Sequence, residues 1–469
     1  MLNMREDLPV GLGDTVLDAI SPFLVRVSRR LDGNLAGRYL PEARAVLRGS
    51  ADEIERHQLS RLRSIALTAS RRCEFYQENV RQNWDPESLS FRSFSQLFPL
   101  LTRSDLREHA AGLRNRDYAT SQLRQSASGG TTSSPVPFHM DWECLYRRHA
   151  ATLAFDAWLG YQPGQKLALL WGALQDVPKE SSWGTAIRRR LVDRQLFLPS
   201  QVLDEKIMED YYRALIRFRP SLLRAYPSPL TDFAHFLNEN GYRLPVKAVS
   251  TTAEPLLDYQ RDEIRKAFAT EPYDFYGTRE MGRVATECSV HNGLHINCYG
   301  LYVEIVNKER YGGAGIGEVV LTDLWNVGMP LVRYHIGDLA AFDFSPCPCG
   351  SRLPRLVKVT GRVTDMFVNS RGQRVAGVAF TNRFIRDCDE VVEMQIVQLA
   401  VGRFQLLVVP GERYSSDTAD RLSKDLKSFI QEELDVEIKM VDAIPLEKSG
   451  KRRFCKNLVH EASEPERLG

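Results

Sequence analysis

Between Lys166 and Pro255 the chain changes texture at short intervals, and that rhythm limits its fold more than any other feature. "KLALLWGAL" (Lys166 to Leu174) reads as a buried strand, and "SLLRAYPSPLTDFAHFLNENGYRL" (Ser221 to Leu244) as a strand that ends at a proline turn and continues as a helix. "VKAVSTTAEP" (Val246 to Pro255) is a further strand running into a loop. Strands and helices in alternation must share layers, because each has one apolar face to bury; the expected fold class is α/β.

The flanking segments extend this pattern. From Asp52 to Asn79, Leu59, Leu62, Ile65, Ala66 and Leu67 fall near helical spacing with arginines opposite, which predicts an amphipathic helix. "LYVEIVNKERYGGAGIGEVVLTDL" (Leu301 to Leu324) is two alternating strands about a glycine-rich turn. No helix follows Gly317, so a hairpin is expected there and not a nucleotide loop. After Arg362 come two short strands, an amphipathic helix from Thr418 to Leu434, and the strand "VEIKMVDAIP". These suggest a small α+β domain of about 100 residues. The expected division is a large multi-layer domain over residues 1–360 and a small one over 361–469.

A chain of 469 residues has room for at least two folding units. With 62 basic against 60 acidic side chains and a net charge of +2, it has no electrostatic footprint for nucleic acid. A small ligand is expected instead. The eight cysteines are dispersed except for Cys347-Pro-Cys349, which suits a reducing cytoplasm. The longest apolar run is about half a membrane span, so neither a signal peptide nor membrane insertion is expected.

"QSASGGTTSSPVPF" (Gln125 to Phe138) concentrates glycines and hydroxyls with only Arg124 beside them. Such a loop can turn many N–H and O–H donors toward one point. Ser126, Ser128, Gly129, Gly130, Thr131 and Thr132 could cradle phosphate, although the Gly-Lys pair of a Walker loop is missing. A mobile Ser/Gly linker reads equally well from this stretch alone.

Further segments follow in order: "STTAEP" (Ser250 to Pro255), "YDFYGTREMG" (Tyr273 to Gly282), "VRYHIGDL" (Val332 to Leu339), "TGRVTDM" (Thr360 to Met366) and "PLEKSGKRRF" (Pro445 to Phe454). With the opening loop, the series resembles the adenylate-forming superfamily of acyl-CoA synthetases, peptide-synthetase adenylation domains and luciferases. "FPLLTRSDLREH", "YGTREMGRVATEC", "GLHIN" and "CPCGSRLPRL" are most similar to the phenylacetate-CoA ligase branch, including its capsule-biosynthesis-associated relatives.

The resemblance implies an N-terminal domain that binds ATP and an acid, and a mobile C-terminal cap carrying a catalytic lysine. It assigns the loop from Ser126 to the β- and γ-phosphates, with Ser133 and Ser134 where Gly and Lys are often found. Glu280 is the implied Mg²⁺ ligand, beside Arg279. Ala253, Glu254, Pro255, Tyr276, Gly277 and Thr278 would form the adenine pocket. Asp338 would accept the ribose hydroxyls, as a carboxylate can. Arg362 would bind ribose or phosphate, Thr364 and Asp365 would be the hinge, and Lys451, more than nearby Lys448, would bridge the acid and the α-phosphate. Trp171, Tyr226 and Phe275 are the candidate walls of the acyl pocket.

Cys288, His291, His295, Cys298, Cys347 and Cys349 form a second constellation. A Cys-x-Cys pair joined to a distant Cys and His could close one tetrahedral Zn²⁺ site, and buried reduced cysteines are the alternative. The resemblance favours metal, on Cys288, His295, Cys347 and Cys349.

The expected function is ATP-dependent conversion of an acid, of aryl type, to an acyl adenylate with release of pyrophosphate, followed by transfer to the thiol of coenzyme A. The alternative acceptor is an amine or a carrier-protein thiol in natural-product or polysaccharide biosynthesis. A binding protein without turnover is a third reading, and a homodimer is compatible with all three.

Overall fold

The structure, a computed structural model, describes residues 35–80, 84–128, 136–171, 194–200, 202–308, 315–357, 359, 366–372, 374–376, 390–444 and 452–461. The anticipated N-terminal helix is there, but in two pieces. Ser50 and Glu53 close a capping box (Glu53 N–H to Ser50 Oγ 3.3 Å, Ser50 N–H to Glu53 Oε2 2.8 Å) that starts the helix Ala51–Arg72. Cys73 is fully buried and extended, and the chain resumes as a short helix at Glu74–Asn79. The kink lets Tyr76 reach the core, where its hydroxyl donates to the Pro330 carbonyl at 3.0 Å.

A hairpin comes first, β1 (Arg124–Ala127) with β2 (Pro137–Met140). The next strands are β3 (Leu167–Trp171), β4 (Gln195–Pro199), β5 (Leu222–Ala225), β6 (Ala248–Thr252), β7 (Pro272–Thr278), β8 (Gly282–Glu287), β9 (Leu294–Ile296), β10 (Leu301–Val306), β11 (Gly317–Asp323), β12 (Tyr334–Asp343) and β13 (Arg355–Val357). They form one sheet of eleven strands in the order β10-β11-β12-β13-β9-β8-β7-β6-β5-β3-β4. From β4 to β7 every pairing is parallel; from β7 to β10 every pairing is antiparallel.

The parallel half owes its form to crossover helices. Glu205–Phe218 leads into β5, Pro227–Glu239 joins β5 to β6, and Asp258–Phe268 joins β6 to β7, as the strand–turn–helix texture predicts. Leu223, Val249, Phe233, Leu237, Ile264 and Phe268 fill the layer between. The antiparallel half buries a larger core beneath the N-terminal helices, including Tyr76, Phe94, Phe98, Leu321 and Tyr334. The hairpin expected at Leu301 to Leu324 is β10 and β11, its ladder running from Leu301↔Asp323 to Val306↔Glu318.

A second, small domain follows. After the pair β14 (Met366–Val368) and β15 (Arg374–Ala376), the strands β16 (Val391–Ala400), β17 (Arg403–Pro410), β18 (Asp435–Met440) and β19 (Cys455–Asn457) make a sheet in the order β18-β17-β16-β19. Its helix is Ser416–Ile430, shorter than the sequence suggests. Gln431 is left-handed (φ 63°) and its N–H returns to the Lys427 carbonyl, which stops the helix and turns Leu434 back into the core. The anticipated boundary at 360/361 lies outside the described residues. The fold is mixed α/β with a large sheet domain and a small C-terminal domain.

Candidate functional site

The parallel strands present their carboxyl ends along one edge, and strand order reverses there: β3 pairs with β4 on one side and β5 on the other. Open α/β sheets bind ligands at such a point. Trp171 ends β3, Tyr226 follows β5, Ala253 and Glu254 follow β6, and Phe275, Tyr276, Gly277 and Thr278 end β7. The fold therefore gathers residues that the sequence scatters over more than one hundred positions.

Two irregularities aim the central pair. On β12, Ile336 to Asp338 interrupt the ladder with β11, which shifts between Glu318 and Val320, and Gly337 is left-handed (φ 83°). Opposite Tyr276 the β7–β8 ladder also shifts. Bulges re-aim side chains. Here the Tyr276 hydroxyl donates to Asp338 Oδ2 at 2.5 Å, joining two residues 62 apart in sequence.

The turn from β7 to β8 is held by the Met281 N–H on Thr278 Oγ1 (3.0 Å), and a side chain on Gly277 would meet the Gly282 carbonyl at 3.1 Å. Glu280 in this turn is buried, and its backbone carbonyl accepts from Arg148, which is itself paired with Asp323 at 2.5 Å. The turn after β6 bends through left-handed Ala253 (φ 77°). Glu254 accepts there from the N–H (3.0 Å) and hydroxyl (2.6 Å) of Ser228, at the start of the helix Pro227–Glu239, where the dipole favours negative charge.

Glu254 also meets the small domain. The Arg452 N–H donates to Glu254 Oε1 at 2.8 Å, and its guanidinium pairs with Asp232 (3.1 and 3.2 Å) and Glu393 (2.6 Å). Burial pushes the Glu393 carboxyl up to about 7, with Arg452 opposing and Asp232 adding to the rise. No local pattern in the sequence separates Arg452 from Arg453.

Ser126 lies on β1, paired with Phe138, and Ser128 closes the hairpin stem. The Ser128 hydroxyl accepts from the Val136 N–H (2.9 Å) and from Arg103 (3.2 Å). Arg103 thus brings charge to the base of the hydroxyl loop from 25 residues away. Gly129, Gly130, Thr131, Thr132, Ser133, Ser134, Arg362, Thr364, Asp365, Lys448 and Lys451 lie outside the described residues. Trp171 and Tyr226 meet with ring centroids 4.5 Å apart and their planes tilted by 43°.

The cysteine–histidine cluster sits in the antiparallel half. Pairing of β13 with both β9 and β12 carries the Cys347–Cys349 loop to the ends of β8 and β9. Ligand atoms of Cys288, His295, Cys347 and Cys349 all lie within 4.8 Å of one another, with Cys288 Sγ and Cys347 Sγ 3.7 Å apart. Tetrahedral Zn–S bonds of about 2.3 Å place sulfurs about 3.8 Å apart, so the donor set fits that ion. His295 Nδ1 faces the Leu353 carbonyl (3.3 Å), leaving Nε2 toward Cys349 Sγ (3.4 Å). Burial pushes the Cys288 thiol up to about 12, so a thiolate there needs a cation. His291 is spent elsewhere, with Nδ1 3.0 Å from Glu287, and Cys298 is buried outside the cluster.

Comparison with known proteins bears on the fold and on the relatives of the chain. Residues 367–458 match the family model of the CapK C-terminal domain. Protein CapK of Staphylococcus aureus is 25% identical over 395 residues, covering 82% of this chain and 85% of that protein. A phenylacetate-coenzyme A ligase of Thermus thermophilus is 24% identical over 351 residues (70% and 74% covered). The structure of a 2-hydroxyisobutyryl-CoA ligase in the postadenylation state overlays with a TM-score of 0.70 at 20% identity, covering 89% of this chain and 92% of that one. The fold is that of the adenylate-forming acyl-CoA ligases. In sequence the chain is similar to CapK and to the phenylacetate-CoA ligases.

Proposed function

We propose that the chain activates a carboxylic acid with ATP, releasing pyrophosphate, and passes the acyl group from the adenylate to the thiol of coenzyme A. The observation that carries this reading is the Tyr276–Asp338 pair at the carboxyl edge of the parallel strands. A carboxylate held by one phenol keeps acceptor capacity for a vicinal diol, and the adjoining Ala253–Pro255 and Tyr276–Thr278 backbone offers an edge for a purine.

A carboxylate is a poor nucleophile and ATP a polyanion, so the protein's work is positioning and charge neutralisation. Glu280, in the buried turn after β7, is the residue to hold Mg²⁺, which would neutralise phosphate charge. Arg103 and the hydroxyl loop supply donors at the other end of the phosphates. Arg452 docks the small domain on Glu254, and Lys451, its chain neighbour, is the residue to balance charge between acid and α-phosphate. Arg362 and the Thr364–Asp365 hinge keep the roles the resemblance gives them, with the domains meeting near residue 360. An aryl acid would lie against Trp171, Tyr226 and Phe275. Zn²⁺ on Cys288, His295, Cys347 and Cys349 would be structural, since all four positions are protein ligands.

The test is acid-dependent pyrophosphate release from ATP, with hydroxylamine to trap the acyl adenylate. Release with an acid, and a thioester when coenzyme A replaces hydroxylamine, is the expected result. ATP binding without release for any acid overturns the reading; hydroxamate without thioester moves the acceptor to an amine or carrier protein.

A further inference from the structure

Successive residues of a strand face opposite sides of its sheet, so while Tyr276 points to Asp338, Phe275 points the other way. On that second side two arginines meet under the Phe275 ring: Arg224 of β5 lies 5.4 Å and Arg283 of β8 4.1 Å from its centroid. Both guanidinium groups bind the same oxygen, Asp156 Oδ1, at 2.6 and 2.9 Å. Arg224 has a further partner in Ser250 Oγ (3.1 Å), whereas Nε and Nη1 of Arg283, a side chain only 3% exposed, have no hydrogen-bond partner among the described residues. The buried Thr286 hydroxyl, on the residue opposite Phe275, has none either.

The charges do not cancel. Two cations share one carboxylate, and burial together with the neighbouring Arg224 lowers the hold of Arg283 on its proton. An uncompensated buried cation is costly, so a further anion arriving beside it would be favoured. The register places Leu169, Arg224 and Ser250 on one face, and Trp171, two residues beyond Leu169, shares it. The surplus charge therefore lies on the side of the sheet that carries the walls of the proposed acyl pocket.

We infer that Arg283, seconded by Arg224, is a specificity residue for an acid bearing a second anionic group away from the carboxylate that reacts with ATP; the simplest such acid is a dicarboxylate. The inference rests on the adenylation reading above. Arg283 forms no bond to the reacting atoms: it selects by charge, and a neutral acyl group of the same shape leaves it unpaired.

The experiment compares trapped pyrophosphate release for matched acids, benzoate against terephthalate and butyrate against glutarate, in the full-length protein and in Arg283→Gln. The expected result is a preference of about 100-fold in kcat/KM for the dianionic member of at least one pair, collapsing toward unity in the variant. Because Arg283→Gln leaves Arg224 and Asp156 as a balanced pair, the variant should melt no lower than the parent. A purely structural arginine would instead lower the melting temperature and leave the preference ratio where it was. Equal rates for both members of each pair, or a preference that survives Arg283→Gln, overturns the inference and leaves adenylation standing. No release with any acid, from protein that binds ATP, overturns both.

Discussion

The two halves of the large sheet carry two sites of opposite character. The cysteine–histidine cluster is closed: four side chains within 62 residues, held by antiparallel neighbours, with ligand atoms already within 4.8 Å. The carboxyl edge of the parallel half is open. Tyr276 and Asp338 meet across it, two arginines share Asp156 on its other face, and Arg452 of the small domain contacts Glu254. A site that holds a fixed ion can be finished by one domain. A site that must admit two substrates and release products is left incomplete until a second domain and the ligands arrive.

Breaking the open edge should cost turnover and spare the fold. Asp338→Ala should lower kcat/KM for ATP by about 100-fold, the loss of charge-assisted hydrogen bonds to the ribose, with zinc content and melting temperature held. A loss under threefold in the pyrophosphate assay would remove Asp338 from the nucleotide site. Arg452→Ala, which keeps the backbone N–H on Glu254 but leaves Asp232 and Glu393 without their cation, should slow adenylation about tenfold with less effect on KM for ATP. If KM alone rises, Arg452 acts on binding and not on domain placement.

Breaking the closed cluster should do the reverse. Elemental analysis should find one zinc per chain, and Cys349→Ser should lose it together with about 2 kcal/mol or more of stability, a melting drop of at least roughly 2–3 °C. Folded Cys349→Ser protein should keep its KM for ATP; a raised KM would mean that the two halves are coupled. The smallest effect expected is at Glu393. Its carboxyl is raised in the folded state, so the stability it confers is complete below its ordinary range near 4.5 and fades as pH rises through about 7. Glu393→Gln should therefore be more stable than the parent at pH 8 by about 1 kcal/mol, with the two converging below pH 4.5. Thermal melts across that range check it, and a Gln variant less stable at pH 8 would show that the Arg452 pairing outweighs burial.

Much of the architecture was legible in the residues. The strand–proline–helix pattern from Ser221 to Leu244 is β5 and its crossover helix, and the alternation from Leu301 to Leu324 is the antiparallel pair β10 and β11. Local signals of this kind report local structure. They failed where a distant contact intervened: at buried Cys73, which breaks the N-terminal helix, and at Gln431, whose left-handed turn ends the C-terminal one. The metal ligands were legible as a set of six candidates. The resemblance already favoured His295 over His291, and strand pairing supplies the physical reason, since β9 carries the first into the cluster while Glu287 and Arg261 engage the second.

The roles of Arg103, Arg283 and Arg452 had no signal in sequence at all, because an arginine's partner is set by what the fold places opposite it. By itself, the order of residues determined the α/β layering, the loop of hydroxyls and the succession of motifs, all of which depend on neighbours along the chain. Tertiary structure alone decided that Tyr276 bonds Asp338, that two arginines share Asp156, and that Arg452 rests on Glu254. Charge balance is a property of a place in space, and it comes into being only when distant strands are brought side by side.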